Sequence, residues 1–201
     1  MHPYEDILVT NKYGFRSGMT TVDCLVDLID EITKALDEEN AISIFLDLRK
    51  AFDTVNHSIL LSKLDVYGIR DIENQWFRSY LNKRKQKVFV NGVESDFLKV
   101  KSGVLQGSIL GPVLFLVYIN DIVNATNYFS IRLFADDTSL TAAGKDLDLL
   151  LQRINAELPA IYKWLCSNRL ALNLSKTKQL VFHQRQKVNS NFHSCTNCRP
   201  V

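Results

Sequence analysis

Two adjacent aspartates, Asp136 and Asp137, interrupt the otherwise apolar run "IRLFADDTSL". Burying two unpaired carboxylates costs several kcal/mol, so a core strand does not carry them without a partner. A third carboxylate, Asp47, ends the run "AISIFLDL" in the same way, polar after apolar. Magnesium takes oxygen ligands and is often held by one or two carboxylates together with substrate phosphates. Strand-end carboxylates gathered across a sheet would make a two-metal site. The plainer alternative is that Asp136 and Asp137 solvate a turn, and residue types alone leave both readings open. Asp-Asp between Ala and Thr is a poor turn sequence beside Asn-Gly, and adjacent like charges repel unless a cation joins them.

The flanking pattern shows which elements position these residues. "TTVDCLVDLIDEITKALDEEN" places Val22, Leu25, Val26, Ile29, Ile32 and Leu36 at the spacing of a helix face, with Thr20 and Asp23 as a capping box. "AISIFLDL" is a near-continuous apolar run of strand length. "HSILLSKLDVYG" and "DIENQWFRSYLNK" read as helices, the first closed by Gly68. Two short runs around Asn91-Gly92 predict a hairpin, and "VLFLVYINDIV" after Pro112 predicts a buried helix. "YFSIRLF" and "TSLTAAG" predict two strands joined at Ala135, Asp136 and Asp137. A long helix over roughly 145–169 and a last strand near "KQLVFH" complete an α+β chain whose sheet has helices packed on one face.

Composition narrows the class further. A chain of 201 residues, 46% apolar and 23% charged, can bury a core and is not of disordered type. The net charge of +2 means that any nucleic-acid surface is a local patch. No apolar run reaches membrane-spanning length, and the N-terminus lacks a signal-peptide core, so an intracellular protein with no membrane partner is expected. Cys24 and Cys166 fall in helical patterns and read as small core residues. Cys195 and Cys198 form a lone C-x-x-C without a second ligand pair, so no zinc site is expected. Residues 184–201 read as an irregular tail.

"FLDLRKAFDTVNH", "SGVLQGSILGP" and "FADD" resemble, in order and spacing, the palm motifs of reverse transcriptases, above all those of non-LTR retrotransposons of the jockey-like kind. "YGFRSG" before them and "WLCSNRLALNLSKTK" after them fit the same family. The resemblance covers roughly residues 8 to 183, so residues 1–183 are expected to form one reverse transcriptase domain. It implies a polymerase palm with partial fingers and an absent or incomplete thumb, as in a truncated copy. It implies RNA-directed DNA polymerase chemistry: dNTPs added to a DNA primer 3′-OH on an RNA template with two Mg2+ ions, for which Mn2+ can substitute. Under that resemblance Asp47, Asp136 and Asp137 match the catalytic metal ligands. Phe52 matches the residue that screens out a ribose 2′-OH. Gln106 and Gly107 match the loop against nucleotide and template. Lys176 corresponds to a lysine that protonates the leaving pyrophosphate, and Arg16 to a fingers residue near the nucleotide. Phe134 stands where the family usually has Tyr. The alternatives are a copy that binds nucleic acid without catalysis, or an intron-maturase-like relative; no protein partner is implied.

"WFRSYLNKRKQKVFV" interleaves aromatic residues with Arg78, Lys83, Arg84, Lys85 and Lys87, which suits a surface that tracks a nucleic-acid strand. A solvated turn over core aromatics accounts for the same pattern. Asp53, His57 and Asp121 read as structural. Gly103, Gly107 and Gly111 are expected to let backbone approach a ligand.

Overall fold

A reciprocal cap opens the first helix. In the computed structural model, which describes residues 8–183 apart from 10, 11, 17, 38 and 83, the Asp23 N–H donates to the Thr20 hydroxyl and the Thr20 N–H donates to the Asp23 carboxylate, starting α1, Thr21–Leu36. Strand β1, Asn40–Leu46, follows, then the short α2, Ala51–Thr54, and helices α3, His57–Val66, and α4, Asp71–Leu81. Four two-residue strands come next: β2 (Lys85–Gln86), β3 (Phe89–Val90), β4 (Val93–Glu94) and β5 (Leu98–Lys99). Asn91 and Gly92 both take positive φ in the β3–β4 turn, which a two-residue hairpin demands and their types tolerate. Helix α5, Leu110–Ile119, runs into a 3-10 turn and leads to β6, Ser130–Phe134, and β7, Asp137–Gly144. Helix α6, Leu147–Ser167, and strand β8, Lys178–Phe182, end the described chain.

The main sheet is antiparallel, in the order β6-β7-β1-β8. Alternation along β1 sends Ile42, Ile44 and Leu46 to one face, where they pack with Leu60, Leu64, Phe115, Ile154 and Leu165 from α3, α5 and α6. Each fully buried Leu, Ile or Phe there contributes about 1.5–3 kcal/mol.

Helix α1 is an addition to that arrangement, because it crosses the opposite face. Leu28 and Ile32 meet Ala41, with Phe45 and Phe182 beside them. The stripe read from the sequence is only partly used, since Val22 and Leu25 stay 63% and 55% exposed. Polar anchors account for the difference. Arg132 of β6 is buried beneath α1, donates to Asp27 at 2.6 Å and forms an ion pair with Glu31. Tyr13 donates to the same Asp27 carboxylate at 2.8 Å. A buried arginine without such partners would cost several kcal/mol, so α1 is held where the carboxylates reach it.

The free edge of β6 is covered by the N-terminal segment. Lys12 pairs with Leu133 in a parallel bridge, and the Tyr13 N–H donates to the Leu133 carbonyl at 2.9 Å. The wholly buried Lys12 side chain donates to the Leu116 carbonyl.

Candidate active site

The two central strands deliver the aspartates to one end of the sheet. Phe134 pairs with Asp137, leaving Ala135 and Asp136 as a two-residue turn. Ala135 adopts φ +54, a left-handed conformation that costs a non-glycine residue about 1 kcal/mol. Asp137 is therefore the first residue of β7 rather than part of the turn. On the neighbouring strand Leu46 pairs with Thr138, so continuing the register places Asp47 opposite Asp137. Alternation puts both on the face marked by Ser43 and Thr141, whose hydroxyls lie 3.1 Å apart.

Electrostatics report the same proximity. The Asp137 carboxyl is raised above its ordinary range, first by burial and then by the charges of Asp136 and Asp47. Among the described residues no three His, Cys, Asp or Glu side chains are gathered closely enough to hold a metal ion. The trio is near enough to repel and is not closed into a ligand set.

Asp47 is held from a distant loop. The Asn173 N–H donates to the Asp47 carbonyl at 2.8 Å, and the Asp47 N–H donates to the Thr177 hydroxyl at 3.4 Å. That loop carries Lys176, which is exposed. Asn173 and Thr177 escaped the sequence reading because nothing local links them to Asp47.

Phe52 is half-buried on α2, with its ring 4.7 Å from that of Phe115 and edge-on to Phe15 at 6.5 Å. The Gln106 side-chain amide donates to Asp53 at 3.1 Å, and Ser102 donates to the Asp53 carbonyl. Asp53 thus orients the 102–106 loop, and His57 steadies it by donating to the Gly103 carbonyl at 2.8 Å. Two of the three glycines serve the fold itself. A Cβ at Gly103 would lie 2.8 Å from the Asp53 carbonyl oxygen, and one at Gly111 2.2 Å from that of Leu105. Gly107, with φ +81 and nothing within 4 Å, is the one that faces open space.

Beside this loop lies a cleft of about 570 Å3 into which Lys50, Arg84, Lys99 and Lys101 converge, with Asp53 and Gln106 on its wall. Lys85 stands directly opposite Lys99 across the β2–β5 pair. Opposed like charges destabilise a bare strand pair.

The basic stretch divides in the folded chain. Arg84 joins the cleft, with its guanidinium 6.0 Å from the Tyr80 ring. Lys87 is paired with Glu94 at 2.5 Å, and Arg78 lines a separate groove with Ser62 and Asp65 of α3. Lys83 lies outside the described residues, as do Cys195 and Cys198. Arg16 donates to the Val9 carbonyl at 3.2 Å. Asp121 forms an ion pair with Lys63.

The match to the family described as "Reverse transcriptase (RNA-dependent DNA polymerase)" spans residues 1–194. This chain belongs to the reverse transcriptase family. Among its curated relatives, the probable RNA-directed DNA polymerase from transposon X-element of Drosophila melanogaster is 29% identical over 192 residues, covering 92% of this chain and 21% of that protein. The RNA-directed DNA polymerase from mobile element jockey of the same organism is 29% identical over 185 residues, covering 87% and 20%. The chain therefore spans about a fifth of the length of these reverse transcriptase relatives. In solved structures the fold is similar to telomerase from Candida tropicalis in complex with a TWJ fragment of telomeric RNA, with TM-score 0.64, 15% identity, and coverage of 85% of this chain and 30% of that one.

Within this reverse transcriptase fold, Lys50, Lys99 and Lys101 are the cleft residues that sequence reasoning missed. "LKVKSG" carried a faint signal, since Lys99 and Lys101 alternate as residues on one side of a strand do. No helix among the described residues is long and apolar enough to cross a membrane.

Proposed function

We propose that residues 1–183 form the palm and partial fingers of an RNA-directed DNA polymerase that adds dNTPs to a DNA primer paired with an RNA template. The observation that carries this reading is the juxtaposition of Asp47 and Asp137 in register, with Asp136 in the adjoining turn. Three hard oxygen donors that repel one another suit a divalent cation better than an empty surface. Mg2+, or Mn2+ in its place, held by Asp47, Asp136 and Asp137 would neutralise the triphosphate and acidify a primer 3′-hydroxyl.

The remaining roles fall to the chain itself. Lys176, on the loop tied to Asp47, donates a proton to the departing pyrophosphate. Phe52, backed by Phe115, leaves no space and no hydrogen-bond partner for a ribose 2′-OH. Gln106 and Gly107 present a flat, Asp53-oriented wall to the nucleotide and template. Lys50, Arg84, Lys99 and Lys101 supply phosphate contacts in the adjoining cleft, and an anion there would relieve the opposed Lys85–Lys99 pair.

Primer extension on a homopolymer RNA template, with dNTPs against rNTPs and Mg2+ against Mn2+, tests the proposal. Template-dependent DNA synthesis by the parent that Asp136→Asn abolishes is the expected result. Binding of primer–template with no extension in either metal would instead favour a nucleic-acid-binding palm without catalysis. Lys99→Ala and Lys101→Ala should each weaken binding uniformly across sequences and lower the salt slope by about one.

A further inference from the structure

We infer that Gly14 is a positioning residue for the aspartate turn, an inference that rests on the polymerase reading above. Gly14 is buried against the turn's main chain. A Cβ at this position would lie 2.2 Å from the Ala135 nitrogen and 3.0 Å from both the Ala135 Cα and the Phe134 carbonyl carbon. All three are backbone atoms, so no flexible side chain can swing away. Relief requires that either the segment carrying Gly14 or the turn carrying Asp136 move by about an ångström, the distance by which 2.2 Å falls short of ordinary contact.

The anchoring decides which one yields. The segment is pinned by the Tyr13 N–H on the Leu133 carbonyl, by the Tyr13 hydroxyl on Asp27, and by the buried Lys12 side chain, whose Nζ donates to the Leu116 carbonyl. The turn is two residues long, and its first residue already sits in a left-handed conformation. The turn is the softer partner. Gly14 thus acts as a flat stop against which the Ala135–Asp136 turn rests, setting the position of the Asp136 carboxylate relative to Asp47. Gly14 is not in a positive-φ conformation, so alanine there acts through contact alone.

The experiment compares the full chain with Gly14→Ala and with Gly18→Ala. Gly18 lies in the same loop, has φ +74, and an added Cβ there would meet nothing within 4 Å, so it carries backbone strain without the clash. In single-turnover extension Gly14→Ala should lose about 100-fold in maximal rate, the cost of an ångström of misplacement. Its dNTP KM, primer–template Kd and melting cooperativity should stay near the parent's. Its Mn2+ affinity, read by the EPR signal of free Mn2+, should fall, and Gly18→Ala should keep both rate and Mn2+ affinity. Parental rate and Mn2+ affinity in Gly14→Ala would overturn the inference and leave the polymerase reading intact. Loss of rate together with equal loss of Kd and melting cooperativity would also overturn it, as general unfolding. A parent that neither extends primer nor binds Mn2+ would overturn the polymerase reading, and this inference with it.

Discussion

Asn173 and Asp47 are joined main chain to main chain, the N–H of the first donating to the carbonyl of the second at 2.8 Å. The bond ties the loop "NLSKTK" to the end of the central strand, so Lys176 rides on the same framework as the carboxylate. A general acid contributes about 100- to 10,000-fold. Lys176→Ala should therefore slow single-nucleotide addition by a factor in that range while leaving the melting temperature unchanged, because the side chain is exposed. An undiminished rate under rapid-quench conditions would remove Lys176 from the mechanism.

The carboxylate end carries a pH signature. Asp137 is raised by burial and by Asp136 and Asp47, so it binds a proton more tightly folded than unfolded. Such a group favours the fold at low pH, and that contribution is lost as pH rises through its folded pKa. Asp137→Asn should melt above the parent at neutral pH, with the gap closing as pH falls below the carboxylate range. Asp47→Asn should abolish extension without lowering the melting temperature. A neutral-pH melting temperature below the parent's for Asp137→Asn would contradict the crowding.

Lys12 gives the opposite pH dependence. Burial first, opposed by Asp121 and reinforced by Lys63 and Arg16, lowers it from 10.5 to about 7. The folded chain therefore releases this proton before the unfolded chain does, and stability rises with pH between those two values. Lys12→Met should melt above the parent below pH about 7, and the advantage should shrink as pH rises toward 10.5. Calorimetric scans of both chains across that interval check the sign.

Phe52 is both a packing residue and the expected sugar screen. Phe52→Val should cost about 2 kcal/mol, because the smaller side chain no longer fills the space against the Phe115 ring. The same change should admit ribonucleotides, so the ratio of dNTP to rNTP incorporation should fall while DNA synthesis persists. A ratio equal to the parent's, with the stability loss present, would make Phe52 core packing alone.

Much of the fold was legible because its signals are local. The Thr20–Asp23 cap, the Asn91-Gly92 turn and the strand pair around Ala135 and Asp136 each depend on residues a few positions apart. Helix α1 was legible as a helix but not in its packing. Its apolar stripe includes Val22 and Leu25, yet the buried Arg132 on β6 draws Asp27 and Glu31 toward the sheet and leaves those residues outside. The basic stretch was legible as charge but not in its placement, for a related reason. Charge alone could not tell that Lys87 spends itself on Glu94 while Lys50, Lys99 and Lys101 turn into one cleft.

By itself the sequence determined the kinds of chemistry present: carboxylates after apolar strands, a glycine-bearing loop after Gln106, and a lysine in "NLSKTK". The carboxylates follow from residue type and short spacing, which no packing can alter; the loop and the lysine stand out through the resemblance to reverse transcriptases. Only the tertiary structure decided that the Leu46–Thr138 pairing brings Asp47 beside Asp137, that Asn173 holds Asp47 from the far end of the chain, and that Gly14 rests against Ala135. Each of these is a contact between segments remote in sequence. Strand pairing sets it through hydrogen-bond register and close packing, and neither leaves a mark on the residues that lie between.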